Sequence, residues 1–503
     1  MVGHQMLCIV TPRWPDAGAT IPALSTRLDA LFKELGWVHF ASLTLLPARA
    51  DEEARKALPS LMLEIALDEG LTVDTVLDLM IARDQDILWQ LYGGHAAGQV
   101  RAEDQARAVW LKALLMRHLS IANCAFVGAR DRTVQQIHRE HALFVQARLQ
   151  AQALTQSERL EIDWLGRKMA SWANETRDFD WAQRPAPCSF WRAGGLRRVF
   201  RAVGLLVTAL VLTMVVLATW EFACTWFCGT SGFLPWLKRL SLTLVLLLIE
   251  GVLLALLATL LLPLWLSLLT AARKLKIRLF HRLDQLNRWR HSRIHVELPR
   301  AHQVHDSIIA SEAALAGRPN HIVSLTDVQQ PYAWHAFWLR RWLGLISWLG
   351  VWVFPFGRLG DAAGIKYGHW HVIDGGRQLV FCSNYDGAFG GYLDEFIAGA
   401  TWGVNLFWGN TELLPRRAAT DGQPAVSFRR DFPPRYCVSR HGGCEFEQAF
   451  KAYARDSMLP HLYLFQAYTH TQGQIERATT LRDALFGPRT AVNDDLLARA
   501  LES

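Results

Sequence analysis

The sequence predicts an α+β protein in which two copies of one β-α-β-β-α-β module flank a two-helix transmembrane hairpin. Two observations support this prediction. The segments on either side of the centre resemble each other in order and share one succession of strands and helices. Between them lie two apolar stretches, at 202–220 and 240–270. Each is long enough to cross a bilayer core of about 30 Å as a helix.

The elements of the first module follow from hydrophobic periodicity and capping residues. MLCIVTP is typical of a strand, and residues 19–36 place apolar side chains at helical spacing. Residues 37–47 and 59–68 predict two further strands, and Thr72 is a helix N-cap. CAFVGA, near residue 126, predicts another strand.

The second module repeats this order. HIVSLTD predicts a strand and residues 333–353 a helix, and residues 368–374 and 378–384 predict a hairpin around an Asp-Gly-Gly turn. A helix at 389–399 and a strand, WGVNLFW, are expected to follow. This order is the ferredoxin-like plan. Two such copies in one chain can pair their sheets into a pseudo-dimeric α+β barrel.

Five collinear matches support the duplication. GWVHFASLTLLP around His39 matches KYGHWHVIDGG around His369, and LMLEIALDEG matches LVFCSNYDG. Farther along, LDLMIA matches LDEFIA, QLYGG matches LFWGN, and TVQQIHREHAL matches TQGQIERATTL. Each match is weak alone, but their shared order favours a repeat over chance.

The charges beside the apolar stretches predict an orientation. Lys and Arg cluster before the first span and after the second, whereas the connecting loop carries only Lys238 and Arg239. Cytoplasmic flanks are enriched in these residues, so we expect a two-pass protein of the inner (plasma) membrane with both termini in the cytoplasm. The predicted domains are the first module at 1–150, a helical linker at 151–197, the transmembrane hairpin at 198–272, a basic juxtamembrane helix and linker at 273–317, the second module at 318–488 and a tail at 489–503.

Composition excludes several classes of function. The Lys and Arg clusters beside the predicted spans account for the net charge of +7, so a nucleic-acid partner is not expected. The eight cysteines form no CxxC pair, which argues against a zinc module, and whether Cys224 and Cys228 form a disulfide is left open. The chain has no glycine-rich nucleotide loop and no Ser-His-Asp signature.

Three stretches resemble a known family: NHIVSLTDV, FGRLGDAAGIKYGHWHVIDGGRQLVFCSNYDGAFGGYLDEFIAGA and FVGARDRTVQQI. They are similar to a largely uncharacterised group of bacterial-type membrane proteins with tandem dimeric α+β barrel modules, in the superfamily of dye-decolourising peroxidases. The resemblance covers roughly residues 4–150 and 318–485. It implies a peroxidase-like oxidoreductase with haem as one alternative for the cofactor. GARDRT departs from the GxxDG motif of those peroxidases at Arg132, so the cofactor is left open.

Four residues of the second module are candidates for a site. Asp386 follows a strand and precedes a helix, where a carboxylate serves either as an acid-base group or only as a turn and cap residue. His369 and His371 face one side of a strand, and His321 has a similar strand position. We predict Asp386 and His369 as catalytic, and His371 and His321 as cofactor-binding. The alternative is that the histidines pack against aromatic residues. No metal is predicted, because no acidic residue completes a recognisable ligand spacing.

The segment WHAFWLRRWLGLISWLGVWVFPF combines tryptophans with two arginines at helical spacing. We predict that Trp338, Arg340, Arg341 and Trp342 lie at the membrane interface, because aromatic and basic side chains suit the headgroup region. The alternative is a core helix that covers the second sheet. In the membrane interpretation the barrel mouth faces lipid.

Two hypotheses of function remain from the sequence. The first is a membrane-anchored barrel that binds a small, lipophilic ligand, with a peroxidase-like oxidoreductase as its enzymatic form. The second is a non-catalytic membrane scaffold or interaction module. Whether the protein is an enzyme is left open. The expected partners are the lipid bilayer and such a ligand, and an oligomer is compatible with either hypothesis.

Overall fold

The fold was analysed on a computed structural model of the full chain. All described residues belong to one compact unit, which Met1–Ser189 and Glu297–Ser503 build together. The structure describes residues 6–12, 17–47, 59–68, 70–96, 104–129, 132–154, 162–183, 303–315, 318–352, 359, 362, 364–414, 416–417, 424–426, 430–433, 435–436, 441–487 and 491–502.

The described part of the chain is a mixed α+β structure with two large antiparallel sheets and two short two-stranded ones, which confirms the predicted class. The strands are β1 (Met6–Pro12), β2 (Val38–Leu46), β3 (Ser60–Leu67), β4 (Leu119–Ile121), β5 (Cys124–Val127), β6 (Asn320–Val328), β7 (Ile365–Ile373), β8 (Gln378–Tyr385), β9 (Thr411–Leu413), β10 (Arg416–Arg417), β11 (Pro424–Val426), β12 (Arg430–Asp431), β13 (Arg435–Tyr436), β14 (His441–Gly442), β15 (Met458–Leu459) and β16 (His461–Gln466). The helices are α1 (Ala17–Leu35), α2 (Val73–Tyr92), α3 (Asp104–Arg117), α4 (Val134–Gln152), α5 (Ile162–Glu175), α6 (Asp180–Gln183), α7 (Gln303–Ala314), α8 (Tyr332–Trp352), α9 (Phe389–Gly399), α10 (Thr401–Trp408), α11 (Glu447–Asp456), α12 (Gln472–Phe486) and α13 (Ala491–Glu502).

Each sheet contains one strand from the other half of the chain. The first sheet has the order β16-β2-β3-β1-β4 and the second has β12-β9-β6-β8-β7-β5, with β15 also paired to β6. Thus β16, from the second half, adds to the edge of β2, and β5, from the first half, adds to the edge of β7. This reciprocal exchange covers an edge of both sheets with hydrogen bonds and ties the two halves together.

Helices cover the outer face of each sheet. In the first half, α1, α2 and α3 bury Leu28, Leu77 and Leu111 against Leu63 and Ile65 of β3. A fully buried leucine or isoleucine contributes about 1.5–3 kcal/mol relative to an exposed one, so this layer is a major source of stability. Helices α8, α9 and α10 form the corresponding layer over the second sheet.

The inner faces of the two sheets pack against each other. Cys8 and Met62 of the first sheet contact Val323, Val380 and Cys382 of the second in one buried cluster. The strands β2, β3 and β6 are therefore buried along almost their whole length, since a helix layer covers one face and the other sheet covers the opposite face. The buried polar side chains of the candidate site lie between the two sheets.

Helices α4 and α12 begin in the same way. Thr133 precedes α4 and accepts a hydrogen bond from the Gln136 backbone N–H, and Thr471 precedes α12 and accepts one from Gln474. Such caps satisfy N–H groups that have no partner within the helix. These are the two helices that the matching TVQQIHREHAL and TQGQIERATTL segments form.

One predicted element differs from the structure. WGVNLFW was expected to be a strand, but Thr401–Trp408 is a helix, and the next strand is β9 at Thr411–Leu413. A short apolar run has no periodicity that separates a buried strand from a buried helix. Here Val404, Phe407 and Trp408 are all buried in the helical conformation.

The membrane prediction needs correction. Among the described residues, no helix is both long enough and apolar enough to cross a bilayer. This finding contradicts the predicted two-pass protein of the inner membrane with transmembrane helices, and we withdraw that prediction. The expected spans at 202–220 and 240–270 lie outside the described residues.

Helix α8 contains the predicted membrane-interface residues. Its buried face, which includes Leu339, Leu343 and Ile346, packs into the core of the second sheet. Arg340 and Arg341 are exposed, whereas the rings of Trp338 and Trp342 are half-buried and stack with centroids 5.8 Å apart. The packing agrees with the alternative interpretation, in which this segment is a core helix over the second sheet.

Candidate functional site

A buried glutamate lies at the centre of the interface between the sheets. Glu64, on β3, is 2 % exposed. Its Oε1 atom is 2.7 Å from Nε2 of His369, and its Oε2 atom is 3.2 Å from Nε2 of His321. Ser42 donates a further hydrogen bond to Oε2 at 2.9 Å. One carboxylate of the first sheet therefore holds two imidazoles of the second.

The hydrogen bonds continue on both sides of this carboxylate. Nδ1 of His369 is 2.8 Å from Nε2 of His371, and Nδ1 of His371 is 3.2 Å from the hydroxyl of Ser120. On the other side, the Asn384 amide donates to Nδ1 of His321 at 3.0 Å. The result is an unbroken chain of polar groups from β4 to β8.

One assignment of protons satisfies the whole chain with neutral imidazoles. Ser120 donates to Nδ1 of His371, which donates from Nε2 to His369, which in turn donates from Nε2 to Glu64. Nε2 of His321 lies 3.2 Å from the other oxygen of the same carboxylate and carries its proton on that side. Tautomers are assigned from such networks. In this neutral assignment Glu64 is a buried anion with no positive charge on its described neighbours, and burial of an uncompensated charge is costly.

Burial and neighbouring charges act on the ionisation of these groups. Burial alone raises the pKa of Glu64, but the positive charges that His321 and His369 carry in their protonated forms, together with their hydrogen bonds, outweigh this effect and hold the pKa well below its ordinary value. Burial, together with the charge of His369, holds the pKa of His371 well below its ordinary value. Burial raises the pKa of the Cys382 thiol well above its ordinary value, and the Glu64 carboxylate adds to this effect.

Three possible metal ligands converge at this point. An oxygen of Glu64, a nitrogen of His369 and the sulfur of Cys382 all lie within 4.8 Å of one another, and all three residues are buried. Carboxylate, imidazole and thiolate are the ligand types of transition-metal sites in proteins. The chemistry of the three donors suits a single cation.

The structure brings together three of the four predicted site residues. His321, His369 and His371 share the hydrogen-bonded chain, whereas Asp386 has different partners. Asp386 lies four residues beyond Cys382, which is about 13 Å along an extended strand. Its carboxylate is 3.0 Å from Nζ of Lys366, and it also accepts a hydrogen bond from the backbone of Gln472.

The surroundings of Asp386 repeat those of Asp68 in the first half. His39 is the extra residue of a bulge in β2, and its Nε2 atom is 2.8 Å from Asp68. Lys366 is the extra residue of a bulge in β7 and pairs with Asp386. Strand register therefore makes His39 of the first half equivalent to Lys366 of the second, whereas the sequence comparison had matched His39 to the segment around His369.

Both aspartates also bind the first turn of a helix. Asp68 accepts from the backbone of Val134, the first residue of α4, and Asp386 accepts from Gln472, the first residue of α12. Negative charge is favourable at a helix N-terminus. This arrangement agrees with the cap interpretation of Asp386, in which the carboxylate holds a helix in place.

Sequence reasoning missed two residues of the cluster. Glu64 is the one charged residue within the apolar strand LMLEIAL, and a lone charge in such a strand is a usable signal for a buried polar site. Cys382 gave no signal, since its metal-ligand neighbours are not close to it in a recognisable sequence spacing. Strand register shows that Glu64 and Cys382 hold equivalent positions in the two halves, as do Ser42 and His369.

Comparisons with known proteins give no further assignment. No family model matches the chain, and neither the curated proteins nor the solved structures include a significant match.

Proposed function

We propose that this protein is a pseudo-dimeric α+β barrel of two ferredoxin-like modules that binds one transition-metal ion between its sheets. The ligands in this proposal are Glu64, His369 and Cys382, with His321 adjoining them. The observation that carries it is the convergence of three different, fully buried donor types within 4.8 Å. The sheet orders β2-β3-β1-β4 and β7-β8-β6-β9 support the modular part, because both are the ferredoxin-like order.

Charge balance favours a divalent cation at this position. Glu64 as a carboxylate and Cys382 as a thiolate together carry two negative charges, which neutralise one divalent ion. The site would then be neutral overall, and a neutral buried group avoids the cost of an uncompensated charge. The proposed ion thus supplies the counter-charge that Glu64 lacks when its histidines are neutral.

The donor types select the kind of metal. Thiolate and imidazole ligands favour zinc and similar transition metals, whereas magnesium and calcium prefer oxygen ligands. The buried position, with every donor at most 3 % exposed, is typical of a closed structural site. We therefore expect a centre that stabilises the contact between the two halves and holds its metal through purification.

Metal binding requires a defined movement of protons. His369 must release Nε2 for the metal and carry its proton on Nδ1, from which it donates to Nε2 of His371. His371 then carries its proton on Nδ1 and donates to Ser120. Neither imidazole gains or loses a proton in this change of tautomer. The thiol of Cys382 loses its proton, so about one proton is released for each ion bound.

The proposal is tested by metal titration of the full chain. Zn²⁺ affinity is measured by competition with a chromophoric chelator, and Co²⁺ serves as a spectroscopic probe of thiolate ligation. We expect one ion per chain, a thiolate-to-cobalt charge-transfer band, and about one proton released per Zn²⁺. Cys382→Ser should weaken Zn²⁺ binding by more than about 100-fold. Cys124→Ser, which changes another buried thiol away from the cluster, is the matched control.

Two results would overturn the proposal. One is equal Zn²⁺ affinity in the Cys382→Ser and Cys124→Ser proteins. The other is a wild-type Co²⁺ spectrum without the charge-transfer band, which decides the matter even where a variant does not fold. The peroxidase-like oxidoreductase and the non-catalytic scaffold remain predictions. A Soret band in protein expressed with a haem supply would support the former.

A further inference from the structure

A groove with a volume of about 390 Å³ runs between helices α4 and α12 on the outside of the fold. Its apolar walls are Phe144, Val145 and Leu149 of α4, and its two cations are Arg148 of α4 and Arg477 of α12. The groove lies between helices, whereas the ligands of the proposed metal centre lie on strands. The two are therefore separate sites, and the two proposals can fail independently.

One stripe of α4 forms most of the groove. The wall residues of this helix recur every three or four positions from 141 to 152, so they lie on one face and extend over about 16 Å. Another face of α4 carries Leu143 and Ala147, which are buried in a core shared with α5, α12 and α13. The groove face is instead open to solvent, since Val145 is 43 % and Leu149 is 62 % exposed.

The positive charges of the groove are not balanced by its own walls. Among the described residues neither Arg148 nor Arg477 has an ion-pair partner, and none of those that form the wall is Asp or Glu. Arg148 lies over the ring of Phe144 at 5.8 Å, and Nε of Arg477 donates to the Gly473 carbonyl at 3.3 Å. Burial lowers the pKa of His141, the remaining basic wall residue, so the two arginines supply the charge at neutral pH.

We propose that this groove binds a small organic anion with a long apolar chain, of the straight-chain carboxylate type. A guanidinium binds a carboxylate through two parallel hydrogen bonds, and the apolar walls cover the chain. Arg477 is exposed and Arg148 is half-buried, so both can reach an acceptor in the groove. A cavity of about 150 Å³ binds benzene, and by proportion this volume takes about fifteen non-hydrogen atoms. A carboxylate of about twelve carbons has this size.

The test compares three ligands of the full chain by isothermal titration calorimetry, below their critical micelle concentrations. Dodecanoate has the proposed chemistry, dodecyltrimethylammonium has the same chain with the opposite charge, and acetate has the head group alone. We expect dodecyltrimethylammonium to bind more than about ten-fold more weakly than dodecanoate, because it cannot accept hydrogen bonds from the arginines. Acetate should bind at least about 100-fold more weakly, because it lacks the apolar chain.

Substitutions at exposed positions locate the site. Arg148→Gln and Arg477→Gln should each weaken dodecanoate binding by about ten-fold or more, since each removes a charged donor. Arg139→Gln is the matched control, because Arg139 is an exposed arginine of the same helix that lies over Trp181 and not in the groove. Leu149→Gln should weaken binding by about five-fold through the loss of apolar contact.

Equal affinity of the wild type for dodecanoate and dodecyltrimethylammonium would overturn the proposal, and so would equal affinity for dodecanoate and acetate. These comparisons use the wild type, so they decide even where a variant does not fold. Equal dodecanoate binding by Arg148→Gln, Arg477→Gln and Arg139→Gln would place the ligand elsewhere. A wild-type dimer that Leu149→Gln dissociates, in a protein that does not bind dodecanoate, would show that a second copy covers the groove.

Discussion

Nε2 of His369 lies 2.7 Å from Oε1 of Glu64, and this contact joins a strand of one sheet to a strand of the other. The two residues are 305 positions apart in the chain. Both are buried, so neither can exchange its partner for water. The contact is therefore a point at which the stability of the interface between the two halves can be measured directly.

Removal of the Glu64 carboxylate should destabilise the protein strongly. Glu64→Ala leaves the donors of His369, His321 and Ser42 without their acceptor in the interior. We expect the free energy of unfolding to fall by about 1–3 kcal/mol for each buried donor that is left without an acceptor. Urea denaturation measures this change.

The control for this variant is an exposed glutamate. Glu447 pairs with Lys451 on the surface of α11 and is 52 % exposed. Its replacement by alanine should change the free energy of unfolding by less than about 1 kcal/mol. If Glu64→Ala and Glu447→Ala lowered the free energy of unfolding by similar amounts, the role assigned to Glu64 would be wrong.

His371 should act as a positioning residue for the proposed metal ligand His369. Its Nε2 atom accepts the Nδ1 proton of His369 when the metal is bound, and such partners orient the ligand. We expect His371→Gln to weaken Zn²⁺ binding by about 10–100-fold. The Co²⁺ spectrum should keep its band positions, because the ligand set is unchanged.

A matched control is available on α8. His335 is hydrogen-bonded to Asn410 and is not one of the residues around Glu64. His335→Gln should bind Zn²⁺ like the wild type. A shift of the Co²⁺ d–d bands in His371→Gln would instead make His371 a ligand.

The stability of the protein should decrease as the pH falls from about 6.5 toward 4. Burial lowers the pKa of His470 from 6.5 to about 4, assisted by the charges of His141, His138 and Lys366. Between these values the unfolded chain binds a proton on His470 and the folded chain does not, so acid favours unfolding. Above pH 6.5 His470 is unprotonated in both the folded and the unfolded chain, so it no longer favours unfolding.

The stacked ring of His141, whose centroid is 3.8 Å from that of His470, shows why protonation is unfavourable there. His470→Gln should therefore have a flatter dependence of Tm on pH across this window than the wild type. Identical profiles for the two proteins would show that His470 does not contribute.

Lys366 and Asp386 should contribute to the free energy of unfolding as a pair and not independently. Lys366 is 1 % exposed, and burial lowers its pKa although the Asp386 charge opposes this effect. Asp386→Ala leaves the lysine unpaired and should cost about 3–5 kcal/mol. The double variant with Lys366→Met should cost less than the sum of the single changes, because the unpaired charge is gone.

Asp394 provides the comparison for this cycle. It pairs with Lys451 but is 55 % exposed, so Asp394→Ala should cost less than about 1 kcal/mol. A strictly additive double variant would show that Lys366 and Asp386 act independently, despite the 3.0 Å between their charged atoms.

Most of the elements could be predicted from the sequence, because their signals are local. The apolar spacing of α1, the cap at Thr72 and the hairpin between β7 and β8 involve residues a few positions apart. The strand predicted at WGVNLFW failed for a physical reason. A run that is buried on all sides has no polar positions to mark its period, and α10 packs as a helix.

The candidate site was predicted only in part. His369 and His371 could be chosen because the period of 2 in one strand places them on one face, and His321 because it has a similar position in another strand. Glu64 could not be assigned to them, because it belongs to the other sheet. The pairing of His39 with Asp68 and of Lys366 with Asp386 depends on a bulge in each strand, which shifts register by one residue.

By itself, the sequence determined most of the strands and helices in both halves, since local spacing and caps set these elements, but it did not determine the helix at Thr401–Trp408. Only the tertiary structure decided that β5 and β16 exchange between the sheets and that Glu64 meets His369 and Cys382. The physical reason is that these contacts join residues far apart in the chain. Their positions depend on strand register and on the packing of two buried faces, which no local pattern encodes.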